Sequence, residues 1–105
     1  MIYQHTVRNL GPGTETFDLT VNSSEGWFTN VSPEEVTING QQETDIIVTV
    51  VVSPNAQQGD VDNTIVTVTS QSDPSVTDFS TDTTIVPIPM FLPMMANNAG
   101  EETPD

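Results

Sequence analysis

Apolar and polar residues alternate with a period of two through most of this chain. From Thr14 to Asn22, Phe17, Leu19 and Val21 fall in one set and Thr16, Asp18 and Thr20 in the other. A period of two puts such sets on opposite faces of an extended strand and is incompatible with an amphipathic helix. The strongest run is Thr44 to Ser53, with Ile46, Val48, Val50 and Val52 on one face. Ile47 and Val51 make its other face apolar too, which predicts a strand covered on both sides.

The remaining runs repeat the pattern. Ile2 to Asn9 places Tyr3, His5 and Val7 together, and Trp27 to Ser32 places Trp27, Thr29 and Val31 together. Val36 and Ile38 mark a short strand. Asp62 to Ser70 sets Thr64, Val66 and Val68 against Ile65, Thr67 and Thr69. Val76 to Val86 puts Phe79, Thr81, Thr83 and Ile85 on one face. Turn-forming residues separate these runs at Leu10-Gly11-Pro12-Gly13, Asn39-Gly40, Pro54 to Gly59 and Asp73-Pro74. Short strands spaced in this way, rich in β-branched residues, predict an all-β antiparallel sandwich.

The segment Ile85 to Ala96 departs from the body. It is the most apolar run in the chain, and its three prolines, Pro87, Pro89 and Pro93, all take odd positions. The even residues Ile88, Met90, Leu92, Met94 and Ala96 therefore form an unbroken apolar row that keeps every backbone N–H. Phe91 lies between them on the other face. Proline belongs on a strand edge that does not pair, so this segment reads as an edge strand able to pair along one side. Val86-Pro87 and Ile88-Pro89 favour extended backbone, and no Gly, Asn or Asp is present there to build a tight hairpin. The expected organisation is a sandwich over 1–86, an apolar Pro-rich strand over 87–98 and an acidic end over 99–105.

Charge and composition narrow the function. At 105 residues, one Lys or Arg against fifteen Asp and Glu gives a net charge of −14. Nucleic acid and anionic membranes repel such a chain. Cysteine is absent, which excludes disulfides, thiolate metal sites and a cysteine nucleophile. No run reaches the ~20 apolar residues of a membrane helix. The acidity suits a solvated extracellular surface or a high-salt habitat.

Tyr3-Gln-His-Thr-Val-Arg-Asn-Leu-Gly11, Thr16-Phe17-Asp-Leu19, Gly26-Trp27, Val31-Ser32-Pro33, Gly59 and Val66-Thr-Val-Thr-Ser70 together resemble the immunoglobulin-like repeats of secreted bacterial and archaeal surface proteins. Those repeats include modules attached to sugar-active enzymes and adhesion arrays. The resemblance spans about 1–86. It implies an immunoglobulin-like sandwich and an extracellular, cell-surface location. In that family the Tyr-x-x-Thr-Val-x-Asn-x-Gly strand is the second one, and the strand expected before it has no counterpart in this sequence.

A sandwich short of an edge strand leaves an apolar groove and unpaired backbone groups. The expectation is therefore strand addition between copies, with Ile88, Met90, Phe91, Leu92 and Met94 as the inter-subunit strand. Head-to-tail contacts of this kind grow into open filaments unless their rotation closes them into a ring. Four such buried side chains contribute on the order of 6–10 kcal/mol before entropic costs. The alternative is an adhesive, carbohydrate-binding or spacer module of a larger surface protein.

Few residues suggest chemistry. His5 is the lone histidine and reads as a packed strand residue without a catalytic partner. No nucleophile motif is present, so an enzyme is not expected, nor is a cofactor. Gly59-Asp60-Val61-Asp62-Asn63 offers oxygen ligands but lacks the downstream glutamate of a calcium loop, and reads as an acidic turn. Adjacent Trp27 and Phe28 point to opposite faces, one into the core and one to solvent, where an aromatic could stack on a sugar of a cell-surface glycan.

Overall fold

A computed structural model describes residues 1–87, which form seven strands and no helix. They are β1 (Ile2–Arg8), β2 (Glu15–Ser23), β3 (Phe28–Ser32), β4 (Glu35–Ile38), β5 (Glu43–Val51), β6 (Val61–Ser70) and β7 (Thr77–Ile85). Two antiparallel sheets face each other, one in the order β1-β5-β3 and the other β4-β2-β6-β7. The fold is an all-β sandwich. Only β6 and β7 are consecutive strands of one sheet; every other connection crosses to the opposite layer.

The core lies between the layers. Ile46, Val48 and Val50 of β5 are buried against Phe17 and Leu19 of β2 and Val66 of β6. Trp27, just before β3, belongs to the same cluster. The period-two runs thus occupy the strands they predict, with two corrections. Ile47 and Val51 are exposed, so β5 is covered on one face alone, and Val52 follows the strand rather than packing beneath it. On β7 the row Phe79, Thr81, Thr83 and Ile85 faces solvent, and Asp82 and Thr84 face inward. The pairing of β7 with β6 places Asp82 opposite Thr64 and Thr84 opposite Asp62, both inward residues.

The Asn9 side chain ties the entry to β2 onto the β4–β5 connection. Its amide nitrogen donates to the Gly13 and Ile38 carbonyls, each at 2.8 Å, and its Oδ1 accepts the Gly11 N–H at 2.9 Å. Asn9 is 2 % exposed, so this saturation is what makes its burial tolerable. Gly40 lies beneath the same turn. A Cβ there would come within 2.4 Å of the Pro12 carbonyl oxygen, so the close approach demands glycine.

Candidate functional site: an open edge between the sheets

The two sides of the sandwich are closed differently. On one side the chain itself crosses between layers at Ser32-Pro33, from β3 directly into β4. On the other side β1 and β7 are the edge strands, and among the described residues the Tyr3 and His5 side chains bridge them. The Tyr3 hydroxyl is 2.6 Å from Thr84 Oγ1 and donates to the Thr83 carbonyl at 3.0 Å. His5 Nε2 lies 2.9 and 2.7 Å from the two Asp82 carboxylate oxygens. A carboxylate only accepts, so this nitrogen carries the hydrogen. These contacts also show that β1 runs antiparallel to β7, because Tyr3 meets residue 84 and His5 meets residue 82.

Beyond His5 a groove of about 540 Å³ opens between the two edges. Residues 5–11 form one wall and residues 76–80 the other, over a floor that includes Phe17, Leu19, Ile46 and Val66. The floor is the margin of the hydrophobic core, and its four named residues are at most 8 % exposed.

Among the described residues, both walls present backbone groups with no strand beside them. Met1 and Val50 exchange N–H···O bonds of 2.6 and 2.8 Å. Antiparallel pairs repeat that exchange at every second residue. Tyr3, His5 and Val7 therefore bond β5, whereas Ile2, Gln4, Thr6 and Arg8 direct their N–H and C=O groups to the free side. On β7, Val76 accepts from the Ser70 N–H and the Val86 N–H donates to Asp60. By the same alternation the even residues bond β6, and Thr77, Phe79, Thr81 and Thr83 face the free side. Two of these groups already have partners within the domain. The Phe79 N–H donates to its neighbour's Asp78 Oδ1 at 2.8 Å, and the Thr83 carbonyl accepts from Tyr3.

The residues singled out from the sequence are distributed as follows. Trp27 is buried in the core and Phe28 is 67 % exposed, paired with Val51 on the outer face of the three-stranded sheet. His5 is half-buried beside the groove. Ile88, Met90, Phe91, Leu92 and Met94, and the end over 99–105, lie outside the described residues. Asp60 and Asp62 do not converge on a common point. Asp60 accepts the Gln57 N–H at 2.8 Å. Asp62 is on β6, fully buried, and accepts from Ser23, Thr64, Ser24 and the Glu25 N–H. Burial pushes the Asp62 carboxyl up, but those hydrogen bonds outweigh it and hold its pKa below the usual aspartate value. Among the described residues no three His, Asp or Glu side chains gather as a metal site would need.

Sequence reasoning did not place Asp82 and Thr84 on the inner face. Their signal is indirect: two polar strand residues need inward partners, and Tyr3 and His5 are the polar members of β1's inward row. No family model matches the chain, and neither a curated protein nor a solved structure is significantly similar to it.

Proposed function

We propose that this chain is a structural subunit of an extracellular, pilus-like filament. It is read as an immunoglobulin-like module that polymerises head-to-tail by donating its apolar C-terminal strand to the next copy. The observation that carries this reading is the groove between β1 and β7, which reaches the margin of the core and is flanked by two strand edges that pair with no further strand among the described residues. A small ligand could fill the volume, but it would leave a row of backbone groups unpaired. A strand covers the apolar floor and pairs with one of the two edges.

The chain's own tail suits this slot. Thr83 to Gly100 is its longest run without a charged residue. In a protein of net charge −14, that run enters a groove with an apolar floor without bringing a charge of its own. The second reading, an adhesive or carbohydrate-binding module, has the exposed Phe28 in its favour, and a glycan array is its direct check.

The test compares the full chain with a chain ending at Val86 by size-exclusion chromatography and negative-stain microscopy. The full chain forms concentration-dependent linear assemblies, and the shortened chain does not. A synthetic peptide of residues 86–98 added in excess blocks growth. A full chain that stays monomeric at millimolar concentration sinks the proposal.

A further inference from the structure

We infer that the donated strand lies parallel to β1 and hydrogen-bonds to β1 rather than to β7. This rests on the donor-strand reading and adds to it the direction and the acceptor edge.

The direction comes from the phase of the prolines against the phase of the acceptor. Along any strand, the side chain and the backbone N–H and C=O reverse together at each residue. On β1 the inward residues bond β5, so a newcomer meets only the outward ones: Ile2, Gln4, Thr6 and Arg8. In an antiparallel pair, hydrogen-bonded residues stand opposite each other and share a face. An antiparallel newcomer would thus bond through its own outward residues. In the tail those are the odd ones, and Pro87, Pro89 and Pro93 have no N–H to give.

A parallel pair works differently. Its slanted bonds join each residue to the two that flank its opposite. Outward residues of β1 then bond inward residues of the newcomer. In the tail these are Ile88, Met90, Leu92 and Met94, which are the apolar residues that keep their N–H groups. Parallel pairing alone lets one row fill the groove and bond the edge at once.

The same phase would allow a strand parallel to β7, and so antiparallel to β1. The edges themselves decide between them. Within the groove, the Phe79 N–H of β7 is already bonded by Asp78, and near its closed end the Thr83 carbonyl is bonded by Tyr3. The outward backbone groups of β1 have no such partners among the described residues. With the newcomer on β1, the prolines face β7, where no bond is formed.

The test uses the absence of cysteine to place unique spin labels. Full-length copies carrying Met95→Cys are mixed with full-length copies carrying either Arg8→Cys or Ile2→Cys, and inter-copy distances are read by pulsed dipolar spectroscopy. Parallel docking puts residue 95 nearer residue 8 than residue 2, by about 20 Å for six residues of strand. The reverse order overturns the inference and leaves strand donation standing. Short distances to neither site overturn strand donation as well. Thr6→Cys, on the same outward row, replaces Arg8→Cys if the latter fails to fold by circular dichroism.

Discussion

Asp62 shows what one residue can hold together in this sandwich. Its carboxylate accepts from Ser23 and Ser24 at the end of β2, from the Glu25 N–H beyond it and from Thr64 on its own strand. It therefore fixes the β2–β3 turn to β6. The Asp62 pKa is depressed in the folded state. Its stabilisation is accordingly present above the unfolded value of about 3.9 and is lost as pH falls through the lower folded value. Thermal melts of Asp62→Asn should lack that part of the acid sensitivity seen below about pH 4 in the parent chain. An identical acid profile for both would refute the assignment. Asp62→Ala strands several buried donors and should cost about 3 kcal/mol in urea denaturation. None of this is legible in Gly59-Asp-Val-Asp-Asn63, which reads as an acidic turn. Two of the hydroxyls that satisfy Asp62, those of Ser23 and Ser24, lie 39 and 38 positions away, and only the folded chain brings them near.

Among the elements, β5 and β7 differ most in how well their pattern announces them. The β5 run fixes its own strand, because Ile46, Val48 and Val50 are too apolar to leave the core. Its outer row, Ile47 and Val51, is also apolar, so the pattern overstates its burial; the sheet places those residues on its solvent face. The β7 pattern gives the opposite orientation to the real one, since Phe79 and Ile85 look like core and are 68 % and 60 % exposed. What turns β7 over is its register on β6 together with Tyr3 and His5, which supply the inward Thr84 and Asp82 with partners from 81 and 77 positions away. Period alone cannot reveal that. The resemblance led to the expectation of a missing edge strand; the groove itself, between β1 and β7, has a β7 wall that was not foreseen from the sequence. The two strands make an unequal prediction. Ile46→Ala, at 1 % exposure, should lose about 2–5 kcal/mol. Phe79→Ser should change monomer stability by less than about 0.5 kcal/mol. Urea titration at concentrations too low for assembly measures both, and comparable losses would mean that β7 is facing the other way.

For the whole molecule, the same composition that keeps copies apart sets the conditions under which they join. Each carries a formal charge of −14, and Arg8, its single Lys or Arg, is paired with Glu43 at 3.0 Å. Two such bodies repel as they approach, whatever their short-range fit. The proposed contact has the opposite character, an uncharged strand in an apolar groove, and salt strengthens rather than weakens burial of that kind. Screening should therefore act on the encounter and leave the docked strand intact. The Debye length falls from about 10 Å at 0.1 M salt to about 3 Å at 1 M, so the repulsion felt before contact largely disappears over that range. Filament growth followed by light scattering should accelerate by roughly tenfold or more between these two conditions, an effect on association rate of the size electrostatics commonly produces. Dissociation after dilution should change little. Growth that slows as salt rises would mean that charge pairs, not the apolar strand, hold the copies together. Peptide 86–98 carries no charge of its own, so its binding to the shortened chain should depend far less on salt than filament growth does. That contrast separates repulsion between bodies from the chemistry of the groove.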